Sequence, residues 1–389
     1  MYDLKTVHLA NNSHKSKFNS CPDVQSYAPG RIEILGNHTD YNLGTTLSAA
    51  INCGTSMVLS KSESNGVNLF AADLNKSIHF DPTNDEKISE EYNWANYVKG
   101  VFYLLQCHDI KVNNVNCTFS GSIPMGAGLS SSAALEIATA YAIISYANKL
   151  LDPIDIAKIA QKAEQDFAGC NCGLLDQFSS IFGVNSGLVY SDFRTLKVKN
   201  IKIPSDIRFI MINPDIQHSL VDSPYNSRRI SCEKAVVELD KILPYDIKSL
   251  RDVDWKDFRE NKDKIDSELA KRAEHVIAEI HRVEQSLFLL EEQKLEDFGK
   301  LLYDSHETSR LAFENSCPEL DIVVNAAIEA DALGARLSGG GWGGSVVVLA
   351  RENETDVISR KIIKRCIENG LNPTAEIIIP SDGAQIITL

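Results

Sequence analysis

The chain has 389 residues, of which 43% are hydrophobic and 24% are charged, a composition typical of a folded globular protein. Its formal net charge of −14 argues against a protein that coats nucleic acid or an anionic membrane. No apolar run approaches the ~20 residues of a membrane-spanning helix, and the first twenty residues lack a signal-peptide core. The lack of these two signals predicts a cytoplasmic protein. At roughly 150 residues per domain, the length predicts two or three domains.

Nine cysteines are scattered between Cys21 and Cys366, and none forms a C-x-x-C pair. An odd number of thiols in a chain long enough to build its own core indicates reduced cysteines. Cys170 and Cys172 are one residue apart, but no second close Cys or His pair accompanies them. We therefore do not expect a metal–thiolate site.

Helix and strand signals alternate along the chain. The first half predicts helices at about 93–107, 131–147 and 153–168, and strands at 115–119, 188–191, 198–203 and 208–213. The second half predicts helices at 224–242, in two segments of 262–303, at 318–333 and at 352–368, with strands at 345–350 and 375–379. The fold class is therefore α+β or α/β with layered sheets and helices. We place a domain boundary at residue 195, giving domains 1–195 and 196–389 that pack tightly around a cleft.

Three stretches of the sequence carry the chemistry. Residues 124–134 place glycines and three consecutive serines between a strand and a helix, which suits a phosphate site at a helix N-terminus. Residues 338–345 hold five glycines, a composition that is kept where backbone passes close to a ligand or to another segment. Residues 28–42 are rich in varied polar side chains, which suits the hydroxyls of a sugar. Plain turns or a polar loop are the alternatives on local grounds.

Together these stretches resemble the GHMP small-molecule kinases and, among them, the galactokinases. Residues 30–41 resemble the signature G-R-x-N-x-x-G-E-H-T-D-Y, residues 124–133 the nucleotide loop P-x-x-x-G-L-S-S-S-A, and residues 339–344 a C-terminal glycine loop. Segments 94–100, 172–178, 218–229 and 316–321 are also galactokinase-like. The resemblance implies a two-domain α+β GHMP kinase fold. Its N-terminal domain is similar to ribosomal protein S5, its C-terminal domain is ferredoxin-like, and the active site lies between them.

The resemblance also implies a reaction, the transfer of the ATP γ-phosphoryl group to the anomeric C1 hydroxyl of galactose with Mg²⁺ present. Asp176 matches the catalytic carboxylate, and Arg31 matches the guanidinium that keeps it ionised and stabilises the phosphate. Whether Asp176 is a general base or an orienting group stays open. The matched sugar positions are Asn37, His38, Thr39, Asp40, Gly173 and Tyr225. The matched nucleotide positions are Gly126, Ala127, Gly128, Leu129, Ser130, Ser131, Ser132 and Trp94, and the matched metal ligands are Ser132 and Glu164.

Two of these assignments have ordinary structural alternatives, because Trp94 also suits a core position and Glu164 a solvated helix face. The resemblance further implies a monomer whose partners are a sugar and ATP, with no nucleic acid or membrane. One departure bears on the substrate: Asn37 replaces the glutamate that contacts the sugar C6 hydroxyl in the family. A kinase for galacturonate, glucuronate or N-acetylgalactosamine is therefore an alternative. A catalytically silent sugar and ATP sensor is another, although residues 130–134 are intact.

Overall fold

The computed structural model describes residues 2–124, 126–216 and 224–388. Within these ranges lie twelve strands and eleven α-helices. The strands are β1 (Val24–Leu35), β2 (Thr45–Lys61), β3 (Val67–Ala71), β4 (Lys76–Phe80), β5 (Val115–Gly121), β6 (Gly187–Asp192), β7 (Lys197–Lys202), β8 (Ile207–Asn213), β9 (Gly334–Ser338), β10 (Ser345–Arg351), β11 (Thr374–Ile378) and β12 (Gln385–Ile387). The helices are α1 (Leu4–Phe18), α2 (Ala95–Cys107), α3 (Ser131–Tyr146), α4 (Pro153–Ala163), α5 (Leu175–Phe182), α6 (Tyr225–Asp240), α7 (Trp255–Asn261), α8 (Ser267–Glu291), α9 (Leu295–Thr308), α10 (Pro318–Glu329) and α11 (Thr355–Glu368).

The larger sheet has the strand order β12-β1-β2-β5-β3-β4, and β6 pairs with the start of β2 and with β7. Within the described ranges its pairs are antiparallel except for β3 and β5, which run parallel. The last strand, β12, pairs with β1, so the C-terminal end of the chain returns to the sheet that opens it. The division into domains at residue 195 stays a prediction.

Helices α3 and α5 pack on β1 and β2 of the larger sheet, and α2 and α4 pack on α3. The apolar positions of α2 recur at helical spacing, and Val98, Val101, Phe102 and Leu105 are all buried in one cluster with residues of β2 and β5. Helix α3 is rich in alanine, whose small side chain lets the helix lie close against β1 and β2. This packing fixes where the N-terminus of α3 points.

The smaller sheet has the antiparallel order β11-β8-β10-β9. One buried cluster joins it to the larger sheet: Ile32 and Leu47 from the larger sheet share it with Phe209 and Val347 from the smaller one. Helices α8 and α9 contribute further apolar side chains to the same cluster. Because close-packed interiors resist deformation, this shared core fixes the two walls of the cleft relative to each other.

Most of the predicted elements are present, but one ends early and several observed elements were not predicted. The helix predicted at 318–333 ends at Glu329, and Gly334 begins the buried strand β9 instead of ending a helix. Alanines and Leu333 continue the apolar pattern past the true helix end, which misled the prediction. The sequence analysis did not predict helices α1, α5 and α7 or strands β1 to β4, β9 and β12. Within the described ranges, no helix is both long and apolar enough to cross a membrane.

Candidate active site

Strand β1 supplies two charged side chains to the cleft. Arg31 and Glu33 are two residues apart, so they project from the same face of the strand. The register of β1 against β2 shifts just before Arg31 and just after Glu33. Such bulges bend a strand and redirect its side chains. Both residues consequently face the cleft although they are almost fully buried.

The cleft contains two adjoining cavities, of about 480 Å³ and 900 Å³. Both volumes include the space at the open mouth of the cleft. The smaller one, here called the polar cavity, is lined by side chains of the 31–40 and 172–176 segments. The larger one, here called the glycine-lined cavity, is lined by residues of the 126–132 loop and the 338–344 loop. Five residues line both cavities: Arg31, Glu164, Cys170, Asp176 and Gly340.

An ion pair lies at this junction. Arg31 donates from Nε to Oδ1 of Asp176 at 2.9 Å, and its Nη2 lies 2.7 Å from the same oxygen. The Nη1 of Arg31 donates to the carbonyl of Gly128 at 2.6 Å. One guanidinium therefore ties the carboxylate to the 126–132 loop. Asp176 lies in the first turn of α5, where the helix dipole favours a negative charge.

Asp40 and Gly173 form one wall of the polar cavity. The Asp40 carboxylate accepts hydrogen bonds from the backbone N–H groups of Leu175, at 3.2 Å, and Tyr41, at 2.9 Å. Burial raises the pKa of Asp40 to about 6. A Cβ atom on Gly173 would lie 1.9 Å from Oδ2 of Asp40, so only glycine fits at this position. The two segments can meet here only because residue 173 has no side chain.

His38 stands in an aromatic cluster beside Asp40. Its Nε2 lies 3.0 Å from the carbonyl of Gly340 and its Nδ1 2.8 Å from the hydroxyl of Tyr41. Since a carbonyl only accepts, we assign the proton to Nε2. Burial lowers the pKa of His38 to about 3, so the ring is neutral at physiological pH. The buried ring of Tyr225 lies 5.0 Å from it, centroid to centroid.

Asn37 and Thr39 are held by the protein itself. The Asn37 amide donates to Glu33 and to the carbonyl of Gly339, and it accepts from Asn315. Asn37 still lines the polar cavity, whereas Thr39 lines neither cavity. The Thr39 hydroxyl points to the carbonyl oxygens of residues 36 and 45, at 2.8 and 2.7 Å, and so stabilises the turn. Sugar contacts by either residue stay predictions.

The glycine-lined cavity is bounded by the loop that leads into α3. Gly126 and Gly128 have φ values of 73° and 71°, and Ser130 is also left-handed, with φ 59°. A side chain at Gly128 would be strained and would press on the carbonyl of Ser338. The helix begins at Ser131, so its unpaired N–H groups face the cavity, as a phosphate site requires. Of the predicted nucleotide residues, Gly126, Gly128, Leu129, Ser130, Ser131 and Ser132 line this cavity, while Ala127 does not.

Ser132 and Glu164 meet at the junction of the two cavities. Glu164 opens a π-helical turn that follows α4, and its carboxyl is hydrogen-bonded to Ser132, Cys172 and Gln177. Burial, helped by the charge of Asp176, raises the pKa of Glu164 to about 7. A hydroxyl and one carboxylate beside a phosphate site form a donor set that fits Mg²⁺, which takes few protein ligands and keeps the rest for phosphates and water.

Trp94, like Thr39 and Ala127, lacks a place in these cavities. Its ring lies 5.6 Å from that of Phe119, and Tyr97, three residues on, lines the glycine-lined cavity instead. The adenine contact of Trp94 stays a prediction. His218, Ser219 and Leu220, with the neighbouring Ser223, lie outside the described residues.

Sequence reasoning missed several residues of the site. Glu33 was passed over, although its spacing of two from Arg31 on a strand places it on the same face. Gln177, whose Nε2 lies 3.1 Å from Oε2 of Glu164, lies beside the predicted Asp176. Tyr97 carried no distinguishing signal, since aromatic residues on an amphipathic helix usually belong to the core.

Three family models match the chain: GHMP kinases N terminal domain over residues 96–184, GHMP kinases C terminal over 287–368, and galactokinase galactose-binding signature over 12–61. Galactokinase of Haemophilus influenzae (strain PittGG) is 37% identical over 97% of this chain and 98% of its own. Galactokinase of Thermotoga petrophila is 36% identical over 92% of this chain and 99% of its own.

Among solved structures, Lactococcus lactis galactokinase complexed with galactose matches with a TM-score of 0.91 and 29% identity, over 96% of this chain and 98% of that one. The fold and the two-cavity cleft thus define a GHMP small-molecule kinase, an α+β protein as predicted. Within that class, the chain belongs to the galactokinase family.

Proposed function

We propose that this enzyme transfers the γ-phosphoryl group of ATP to the C1 hydroxyl of galactose, giving galactose 1-phosphate and ADP. The observation that carries the proposal is the Arg31–Asp176 ion pair at the junction of the two cavities. A group that passes from one cavity to the other must cross this point. Phosphoryl transfer is mainly a matter of positioning and charge stabilisation, and this pair supplies both.

Each residue of the pair has its own role in the reaction. The sugar O1 forms a bond to the γ-phosphorus while the bond from that phosphorus to the β,γ-bridging oxygen breaks, and ADP leaves with the electron pair. Asp176 accepts the C1 hydroxyl proton, or orients that hydroxyl, as the bond forms. Arg31 holds the Asp176 carboxylate in place through its guanidinium and stabilises the negative charge on the transferring group.

We assign the glycine-lined cavity to the ATP phosphates. The 126–132 loop offers backbone N–H groups and serine hydroxyls at the start of α3, where the helix dipole is positive. Ser132 and Glu164 would hold Mg²⁺ there. The ion, when bound, neutralises charge on the phosphates and fixes their geometry. Gln177 holds the Glu164 carboxyl by a hydrogen bond from its amide.

We assign the polar cavity to galactose. Asp40 offers acceptors for sugar hydroxyls, and Gly173 leaves the space in which Asp40 lies. His38 and Tyr225 form an aromatic wall against which the apolar face of a pyranose can pack. That the active unit is a monomer stays a prediction. The cytoplasmic location stays a prediction.

The comparisons give no support to the alternative substrates galacturonate, glucuronate and N-acetylgalactosamine, or to a silent sensor. The test is ADP release from Mg-ATP by the purified protein, with galactose, galacturonate, glucuronate, N-acetylgalactosamine and glucose side by side. We expect strong turnover on galactose. Preference for a uronate would overturn the substrate, and silence on every sugar would overturn the activity.

A further inference from the structure

The carboxylate of Glu33 stands in the wall of the polar cavity. Glu33 is buried, and its Oε1 accepts two hydrogen bonds. One comes from the amide of Asn37 at 3.1 Å and the other from Nη1 of Arg336, also at 3.1 Å. At Oε2 the described residues supply only the Asn37 amide, at 3.3 Å. Since a carboxylate oxygen can accept two hydrogen bonds, Oε2 retains capacity for a donor from the cavity.

Asn37, in contrast, has no hydrogen left to donate. One hydrogen of its amide points to Glu33 and the other to the carbonyl of Gly339, at 2.8 Å. Its oxygen accepts from Nδ2 of Asn315 at 2.9 Å. The side chain is 1% exposed. Asn37 thus acts as a support that fixes the direction of the Glu33 carboxylate.

The galactokinase signature has asparagine where this chain has Glu33, and glutamate where it has Asn37. The chain therefore carries the same two side-chain types in exchanged positions. Because the two groups are 3.1 Å apart, the exchange leaves one carboxylate and one amide in the same part of the site. The carboxyl group that seemed lost at position 37 is therefore present at position 33, where burial raises its pKa and the charges of Arg336 and Arg31 oppose that rise.

Arg336 makes this placement tolerable. It is fully buried, and its guanidinium compensates the charge of Glu33 from the side away from the cavity. The wall of the polar cavity still carries an excess of acid groups. Among the described residues, its lining has one guanidinium and four carboxyl groups: Arg31 against Glu33, Asp40, Glu164 and Asp176. A sugar carboxylate entering it would meet net repulsion.

We propose that Glu33 is a specificity-determining residue, which accepts a hydrogen bond from a non-reacting hydroxyl of a neutral hexose and repels uronates. Asn37 positions it. The proposal rests on the proposed function, because it assigns the polar cavity to the sugar. Asn37 alone suggests a site that tolerates a uronate. The neighbouring carboxyl group of Glu33 favours a neutral hexose instead.

The test compares Glu33→Gln with the wild type and with Glu291→Gln, an exposed control on α8. The substrates are galactose, galacturonate and the four monodeoxygalactoses that lack the C2, C3, C4 or C6 hydroxyl. For Glu33→Gln we expect kcat/KM on galactose to fall about 10- to 100-fold, the range for a lost hydrogen bond to a charged group. The KM for ATP and the melting temperature stay near the wild-type values, and activity on galacturonate relative to galactose rises.

The deoxy sugars separate a contact from a merely structural role. If Glu33 binds one hydroxyl, the loss caused by Glu33→Gln largely disappears on the one analogue that lacks that hydroxyl. The double exchange Glu33→Asn with Asn37→Glu should recover part of the activity that Glu33→Asn loses. An equal loss on every sugar, or no loss, would overturn the proposal.

A wild-type enzyme that turns over galacturonate better than galactose would also overturn it, even if no variant folds. These outcomes can be told apart from a failure of the proposed function. If the proposed function is wrong, the wild type releases no ADP with any sugar.

Discussion

Arg31 and Asp176 are 145 residues apart in the sequence, yet Nε of Arg31 lies 2.9 Å from Oδ1 of Asp176. One residue comes from a bulged strand and the other from the first turn of a short helix. Neither element could place its charge here alone. The contact exists because α5 packs against β1, with Ala28 of the strand in the same buried cluster as Leu175 and Phe178 of the helix. It sets the reaction centre at the meeting of two cavities.

Removing the charge of Asp176 should therefore abolish turnover while binding persists. We expect Asp176→Asn to lower kcat on galactose at least ~100-fold, as for other positioned electrostatic groups. The KM for ATP should change little. Steady-state kinetics and nucleotide binding by calorimetry measure both, with the half-exposed Asp155→Asn as the matched control. Near-normal turnover in Asp176→Asn would refute its catalytic assignment.

Gly173 is predicted to control sugar binding through Asp40. An alanine Cβ at this position would lie 1.9 Å from the Asp40 carboxylate and displace it. We expect Gly173→Ala to raise the KM for galactose about 10- to 100-fold, the range for a misplaced positioning group. ATP binding should be unchanged. The control is Gly121→Ala, where the nearest atom is 3.4 Å away. Equal kinetics in the two variants would contradict the contact.

Galactose binding should release protons near pH 6. The pKa of Asp40 is raised by burial to about 6, and a sugar hydroxyl that donates to its ionised form lowers that value again. Affinity should consequently weaken as the pH falls below about 6. Titration calorimetry in buffers of different ionisation enthalpy measures the released protons. Since the pKa of His38 is lowered by burial to about 3, His38 stays neutral across this range. A pH-independent affinity between pH 5 and 8 would rule Asp40 out.

The same raised pKa has a consequence for stability. The folded Asp40 holds its proton up to about pH 6, whereas the unfolded group releases it near 3.8. Between these values the folded state binds more protons, so this group's contribution to stability falls as the pH rises and is lowest above pH 6. Comparing urea unfolding of the wild type and Asp40→Asn from pH 4 to 7 measures the slope. A difference between them that does not vary with pH would contradict this account.

Gln177 should matter for metal affinity. Its amide donates to Oε2 of Glu164 at 3.1 Å and approaches Glu136 at 3.3 Å. We expect Gln177→Leu to raise the Mg²⁺ concentration for half-maximal activity about 10-fold or more, as for other residues that orient metal ligands. Glu136→Gln is the control, because it alters the other contact of the Gln177 amide at a residue that lines neither cavity. Burial raises the pKa of Glu136 well above its usual range. An unchanged Mg²⁺ requirement in Gln177→Leu would contradict the role of Gln177 in orienting Glu164.

The amino-acid sequence alone determined what depends on neighbouring residues. The start of α4 at Asp152 and Pro153 follows from capping, because the Asp152 side chain accepts from the N–H of Ile154. The glycine and serine loop before α3 follows from backbone freedom and hydroxyl chemistry. These signals act within a few residues, so they can be recognised in a single chain. The match to family motifs extended them to the reaction and to Arg31, Asp176 and Glu164.

Only the tertiary structure decided what depends on distant partners. Gly334 begins β9 because that segment pairs with β10 in a buried sheet, although its local pattern continues a helix. Glu33 became a candidate for specificity only when Arg336, 303 residues away, was found at 3.1 Å and the Asn37 amide was found already committed. Such contacts arise from packing of the whole core, whose free energy is summed over many residues, and short-range sequence patterns do not encode them.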